Sequence, residues 1–520
     1  MAQMLIKSLL NTRAYPESTT SVHLLQTHIS FLFITDNFVY KIKKPVDFGF
    51  LNFTTLDRRR FYCDEEVRLN RRLCADIYLG VVEVRESPAG IVIDGEGRII
   101  DYAVKMKRLP EERMLHRLLA EEKVTDEDMR RIARTIAEFH RIAGRSEEID
   151  GYGSVENISR NWEENFQQLT EFIGISLSKK DLRIIREWVK DFISQNRSLF
   201  AERVTKGFIR ECDGDIHSEN ICLTDKVYVF DCIEFNKRFR YSDTAADIAF
   251  LLMDLDYHGK SSFSSILLDE YQEATGDREL PALLDFYKTY RAVVRGKVES
   301  FRLNDPNITE EEKEGARGKA KLYFRLARGY ILRRRLTPSL IITCGLMGSG
   351  KSAIASAMAF ELGIGTVAAD AVRKEISGLP VYSHDRSNYG QGIYTPAFNE
   401  ATYEELLNRS EKSLIAGQSI VVDATFRRKG DRARFRSLAE KLGAPVIIIL
   451  TSCPDKIIKQ RLDDRMNKPA AISDGRWKLF HKQKKEFEPV EANEGNIIPI
   501  DTSGPLLDNV DDILKRLELL

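Results

Sequence analysis

The residues Gly345-Leu346-Met347-Gly348-Ser349-Gly350-Lys351-Ser352 have the spacing of a phosphate-binding loop. In such a loop successive backbone N–H groups and a helix N-terminus surround the phosphates, and glycine stands wherever a Cβ would block their approach. Lys351 reaches the β and γ oxygens, and the Ser352 hydroxyl serves as a Mg²⁺ ligand. The flanks suit that chemistry. Leu340-Ile341-Ile342-Thr343-Cys344 is an apolar, β-rich run feeding straight into the loop, and Ala353 to Leu362 has a helical pattern.

A second set of phosphate-handling residues lies well upstream. Asp215 and Asn220 stand five apart between two short strand patterns, and Asp231 follows the apolar run Val227-Tyr228-Val229-Phe230. This is the spacing of kinase catalytic machinery: a carboxylate as base for the acceptor hydroxyl, then an amide and a carboxylate to hold Mg²⁺ against the phosphates. Phosphoryl transfer needs positioning and charge neutralisation more than covalent chemistry, so one base and two oxygen ligands suffice. A phosphate-pairing lysine is expected on an earlier strand, and Val39-Tyr40-Lys41-Ile42-Lys43-Lys44 offers candidates. Strand alternation puts Lys41 and Lys43 on one face and cannot separate them; Lys41, deeper in the strand, is preferred. The following helical stretch supplies Glu65 or Glu66 as its partner.

On these residues the sequence resembles the aminoglycoside phosphotransferase-like kinases, and among them two-domain kinases that end in a P-loop module. The resemblance runs through Val39 to Phe53, Glu65 to Arg72, Gly214 to Asn220, Asp231 to Asn236, and Asp243 with Asp247. It implies Asp215 as catalytic base, Asn220 and Asp231 as Mg²⁺ ligands, Lys41 as the phosphate lysine, and Met106 to Leu109 as the adenine hinge. One position departs from the pattern: Asp213-Gly214-Asp215 stands where these kinases read His-Gly-Asp. The missing histidine normally braces the loop, and an extra carboxylate there would raise the pKa of the base or leave a lobe that binds nucleotide and transfers poorly. No clear glycine-rich loop precedes Lys41.

Behind the downstream loop, Asp370 and Arg373 stand three apart at the end of a second strand pattern, where open α/β sheets bind ligands. This stretch resembles polynucleotide kinases, zeta-toxin-like proteins and small-molecule P-loop kinases. There the counterpart of Asp370 deprotonates the acceptor hydroxyl and that of Arg373 grips an acceptor anion. The strand Ile420-Val421-Val422 ends in Asp423, a Walker B-like carboxylate for Mg²⁺. Arg461 and Arg465, one helical turn apart, suit a lid that clamps the transferring phosphoryl group.

The elements that position these groups divide into three stretches. From about Thr27 to Leu109 strand patterns predominate, broken by one helix over Thr55 to Leu73. From Glu111 to Leu336 the pattern is mainly helical, and its last helix, Ala316 to Arg335, is strongly basic and stops at Thr337-Pro338. A solvated or interdomain face is expected for that helix. Residues 340 to 520 alternate strand and helix. The expected fold is an α+β bilobal protein-kinase-like domain, residues 1–336 with lobes of about 1–109 and 110–336, followed by an α/β P-loop domain with a parallel, doubly wound sheet, residues 337–520.

At 520 residues the chain exceeds one hydrophobic core, and its 79 basic and 79 acidic residues leave no net field to recruit nucleic acid or an anionic membrane. Seven cysteines without a Cys-x-x-Cys pair, no secretory cleavage pattern and no apolar run of membrane-spanning length imply a cytoplasmic protein with reduced thiols. The expected activity is bifunctional: ATP and Mg²⁺ in each domain, the γ-phosphoryl group passing to a hydroxyl of a small polar metabolite, sugar or aminoglycoside-like. The alternatives are a regulatory front lobe controlling a P-loop kinase, and a polynucleotide 5′-kinase, which the balanced charge disfavours. The pattern specifies neither the acceptor nor an oligomeric state.

Overall fold

The computed structural model describes residues 2–49, 51–88, 90–306, 308–379, 395–466 and 477–519. The chain forms two compact units, one of residues 1–175 and 186–301, the other of residues 176–185 and 302–520. No described helix is long and apolar enough to cross a membrane.

The first unit begins with a six-stranded antiparallel sheet: β1 (His23–Gln26), β2 (Ser30–Ile34), β3 (Phe38–Lys43), β4 (Tyr78–Ser87), β5 (Gly90–Ile93) and β6 (Arg98–Lys107), in the order β1-β2-β3-β6-β4-β5. Alternation along β3 gives its faces opposite jobs. Tyr40 and Ile42 enter an apolar core with Phe31, Phe33, Ile91 and Ile93, closed by Leu5 and Leu9 of the helix Ala2–Leu9. Lys41 and Lys43 face the other way, toward the helix Leu56–Cys74, whose first turn is capped by the Thr55 side chain accepting from the Arg58 N–H.

The rest of this unit is largely helical. Its helix Thr244–Tyr257 is buried from Thr244 to Asp256, all round its circumference, as befits a central helix. Four short strands shape the loop beside it: β7 (Ile209–Glu211) pairs with β10 (Tyr241–Asp243), and β8 (Ile221–Leu223) with β9 (Val227–Val229). Asp215 and Asn220 lie between β7 and β8, and Asp231 follows β9.

In the second unit β11 (Leu340–Cys344), β12 (Gly365–Ala368), β13 (Ile420–Asp423), β14 (Val446–Ser452) and β15 (Asn496–Asp501) form an all-parallel sheet in the order β12-β13-β11-β14-β15. Both faces are covered. Ile341, Val421, Ile447 and Ile498 pack under Ile354, Met358 and Leu362 of the helix Lys351–Leu362, while Leu340, Ile342, Val422 and Ile448 pack with Tyr403, Leu406 and Phe435. That explains the near-continuous apolar runs of these strands.

The compact units part between Phe301 and Arg302, not between residues 336 and 337. The helix Glu310–Leu332 ends where the proline rule expects, but it packs on the back of the P-loop helix. A Cβ on Gly329 would stand 1.3 Å from the Glu361 carbonyl oxygen, so only glycine allows the approach. Nor are Arg325 and Arg328 on it left to solvent, although Lys319 and Lys321 are exposed. Arg328 is buried and binds Glu361 and Asp511, with Asp181 2.8 Å from it, and Arg325 binds Glu361 at 2.6 Å and Asp511 at 2.9 Å.

Candidate active sites

In the first unit five segments converge. Lys41 sits between two acids, 2.9 Å from Glu66 and hydrogen-bonded to Asp231. Glu65, the other candidate partner, turns outward to Arg68. Glu66 is fully buried; burial pushes its carboxyl up, but Lys41 and Lys43 outweigh that and hold it down at about 2. Lys43, which sequence reading set second, also bonds Glu66, at 2.6 Å, and pairs with Glu234. The helix Leu56–Cys74 continues these ties: the Asn70 side-chain oxygen accepts from the Cys232 N–H at 2.9 Å, and Arg72 donates to the Glu211 and Cys212 carbonyls.

Asp231 has φ of +65°, the left-handed region that non-glycine residues seldom occupy, and strain of this kind gathers at functional positions. Met106 lies on β6, opposite Val39 of β3 and Tyr78 of β4. The turn between β1 and β2 is Thr27-His28-Ile29 and contains no glycine.

The loop carrying Asp215 is braced by a histidine that the local motif lacks. Asp247, on the central helix, accepts the N–H groups of Asp213 at 2.9 Å and Gly214 at 2.8 Å. It also meets Arg291, at 3.8 Å, and His140, whose Nε2 lies 3.1 Å away while Nδ1 meets the Tyr271 hydroxyl at 2.7 Å. Asn220 Nδ2 donates to the Asp215 carbonyl at 3.1 Å and to its carboxylate at 3.2 Å, and His217 Nε2 stands 3.5 Å from the same carboxylate.

Burial pushes Asp215 up, but His217, with Arg295 and Arg291 behind it, outweighs burial and leaves the carboxyl below its ordinary range. The expectation that Asp213 would raise the base is therefore reversed. Asp213 itself takes the upward shift, from burial and then the charge of Asp247, and its side chain accepts from the Asp215 N–H at 3.1 Å. Sequence reasoning missed Glu234, His140 and the second tie of Lys43. Glu234 had a local signal, three residues after Asp231; His140, 107 residues before Asp247, had none.

In the second unit the glycine loop is pressed against the ends of β14 and β15. A Cβ on Gly345 would meet the Thr451 carbonyl at 2.6 Å, and one on Gly350, at φ of +89°, the Thr502 hydroxyl at 2.9 Å. Ser349 Oγ bonds the Thr451 hydroxyl at 2.7 Å, and Thr502 donates to the Ser349 carbonyl at 2.7 Å. Gly348 packs over Ile458. Lys351 begins the helix and donates back to the Leu346 carbonyl at 2.8 Å, and Ser352 beside it is exposed. Asp423 ends β13 next to the loop strand and accepts from the Thr343 hydroxyl at 3.0 Å.

Asp370 and Arg373 bind each other at 2.5 Å, with Asn399 3.2 Å from Arg373. Arg461 turns to Thr502, 3.0 Å from its hydroxyl and 2.6 Å from its carbonyl. Arg465 lies on the helix Asp455–Met466, and its side chain falls outside the described residues. The braces Thr451, Thr502 and Gln483, which accepts the Met347 N–H at 2.7 Å, were invisible to motif reading because strand ends and a distant helix supply them.

Both sites offer hard oxygen donors suited to Mg²⁺. In the first, Asn220 turns its amide nitrogen to Asp215, which directs Oδ1 away, and the Phe230 N–H bonds the Asn220 carbonyl, setting Asp231 alongside. In the second the donors are Ser352 and Asp423.

Fold and sites together define a protein-kinase-like unit joined to a P-loop domain. A family described as an AAA domain, AAA_33, matches residues 340–490. The Mycobacterium tuberculosis H37Rv protein Rv2004c and the Mycobacterium bovis protein Mb2027c are each 30% identical to this chain over 438 residues, 84% of this chain and 85% of theirs. The chain belongs to the family of these mycobacterial proteins. Among solved structures, a choline/ethanolamine kinase family protein from Mesorhizobium loti is 13% identical, covering 62% of this chain and 94% of its own, with a TM-score of 0.38. A gluconokinase from Sinorhizobium meliloti is 20% identical, covering 35% of this chain and 94% of its own, with a TM-score of 0.26.

Proposed function

We propose that this chain is an ATP-dependent, Mg²⁺-requiring phosphotransferase with one site in each unit, each moving the γ-phosphoryl group to a hydroxyl of a small polar metabolite. The observation that carries this reading is that Lys41 is held between Glu66 and Asp231 while Asn220, bonded to Asp215, accepts at its carbonyl from the residue before Asp231, in a chain that also holds a complete P-loop. Chance spacing of surface acids gives no reason for a lysine to be held between Glu66 and Asp231.

In the first unit Asp215 stays ionised, is oriented by Asn220, and takes the proton of the acceptor hydroxyl. Lys41 leaves Asp231 for the phosphates, and Asn220 and Asp231 hold the cation. In the second unit the loop N–H groups and Lys351 hold the phosphates, with Ser352 and Asp423 as cation ligands. Asp370 serves as base there, oriented by Arg373, which also faces the acceptor; Arg461 and Arg465 serve the transferring group. Bound Mg²⁺ supplies neutralisation of the phosphate charge.

The test is ATP consumption and labelled-phosphate transfer by the full chain in a metabolite extract, with Asp215→Asn and Lys351→Ala separately and together. Each single variant should lose one activity by about 10³-fold and keep the other. A front unit unaffected by Asp215→Asn would be a nucleotide-binding regulator, the role its glycine-free β1–β2 turn favours. Transfer to oligonucleotide 5′-ends with none to metabolites would replace the acceptor assignment.

A further inference from the structure

The proposed front site rests on one lysine, Lys41, yet Glu66 is bound by two. Lys43, two residues on along the same strand face, is fully buried; it bonds Glu66 at 2.6 Å on one side and Glu234 on the other. The charges therefore run as a chain: Asp231, Lys41, Glu66, Lys43, Glu234. The two lysines differ in what lies beyond them. Lys41 meets Asp231, whose carboxylate is well exposed, while Lys43 meets Glu234, which is 6% exposed. Lys41 can therefore exchange Asp231 for a phosphate. Lys43 has no outlet to solvent and no partner to exchange.

We infer that Lys43 and Glu234 are positioning residues: a nucleotide-independent clamp that fixes Glu66, and with it the helix Leu56–Cys74, while Lys41 moves between Asp231 and the nucleotide. This rests on the front unit binding nucleotide as proposed above. Where a single lysine holds this glutamate, engaging a phosphate and holding the helix compete for one ammonium; here two ammonium groups divide the work. The clamp also ties the segment after Asp231 to the helix at a second point, beside the Asn70 bond to Cys232.

The experiment uses the full chain carrying Lys351→Ala, which silences the P-loop site. Binding of a fluorescent ATP analogue with Mg²⁺ is measured together with amide hydrogen exchange over residues 56–74. The parent should bind the analogue, with helix exchange that is slow and the same with and without it. Lys41→Met should weaken binding at least tenfold and leave exchange in the helix slow, because Lys43 still holds Glu66. Lys43→Met with Glu234→Gln, which removes both clamp charges together and so leaves neither unpaired, should speed exchange at least tenfold, make it nucleotide-dependent and weaken binding. Lys43→Arg should restore slow exchange. If the double variant keeps slow exchange and parental affinity, or if Lys41→Met speeds exchange as much as the double variant does, the clamp is wrong while nucleotide binding stands. A parent that binds no analogue removes the front-site reading, and the clamp with it.

Discussion

Both units bury a network of charged side chains, but they put it in different places. In the first unit the network is the site: Lys41 and Lys43 among Glu66, Asp231 and Glu234. In the second it lies at the opposite end of the P-loop helix, where Arg325 and Arg328 meet Glu361 and Asp511, while the phosphate loop is made of backbone and packed against two threonines. On the proposed reading, one unit would hold phosphate with side-chain charge, the other with oriented N–H groups. Removing a charge from the first of these two networks should therefore damage function and from the second stability, whereas adding a methyl group at the phosphate loop should damage function in the second unit.

The largest effect follows from the remote network. Arg328→Met leaves Glu361 buried with part of its compensation gone, and breaking a buried pair from one side costs about 3–5 kcal/mol. The thermal transition of the second unit should fall by more than 5 °C while that of the first stays in place, as read by calorimetry of the full chain. Equal shifts in both transitions would blur the contrast. Next comes Gly350→Val, which puts a side chain into a left-handed backbone and against Thr502. Strain of about 1–3 kcal/mol converts to a loss of up to about 100-fold in nucleotide affinity at the P-loop, with the first unit's affinity unchanged.

The same contrast decides what could be read from sequence. A backbone cradle is local, so the spacing from Gly345 to Ser352, with a strand before it and a helix after, was enough to place the loop and its lysine, while Asp423 was legible from the end of its own strand, Ile420-Val421-Val422. A charge network is assembled from distant segments, so Asp215, Asn220 and Asp231 were legible as a spaced set while their supports were not. Strand alternation correctly put Lys41 and Lys43 on one face but could not separate them, since both bind Glu66; what separates them is the second partner, Asp231 for Lys41 and Glu234 for Lys43, and each of these comes from a distant segment. The histidine absent from Asp213-Gly214-Asp215 is offset by His140, which reaches the loop through Asp247 and leaves no mark in the local motif. Chain punctuation at Pro338 located the end of a helix but not the unit it packs with, which the Gly329 approach to Glu361 decides.

A third effect concerns pH and belongs to the first unit alone. Asp215 lies below its ordinary range, so as the proposed base it should stay ionised as pH falls through the usual carboxylate titration, and the acid limb of kcat/KM should lie below that region. His217 is the first of the groups that hold it down. His217→Leu should move the acid limb upward, toward the burial-raised value, with the plateau at pH 8 altered less than the limb. A limb that stays in place would assign the low value to Arg295 and Arg291, the remaining neighbours that pull in the same direction.

The smallest expected effect sharpens the backbone side of the comparison. Asp423 ends the strand beside the loop strand, and the Thr343 hydroxyl donates to its Oδ1 at 3.0 Å from that adjacent strand. Thr343→Val keeps the shape of a buried strand residue and removes that donor, a change of about 1 kcal/mol or a factor of about five. On the proposed reading, the loop would hold phosphate mainly through N–H groups that Thr343 does not touch. The affinity for ATP in excess Mg²⁺ should therefore stay within twofold, while the Mg²⁺ concentration giving half-maximal P-loop activity shifts by about fivefold. Equal loss in both titrations would mean that Asp423 supports the loop itself rather than the cation.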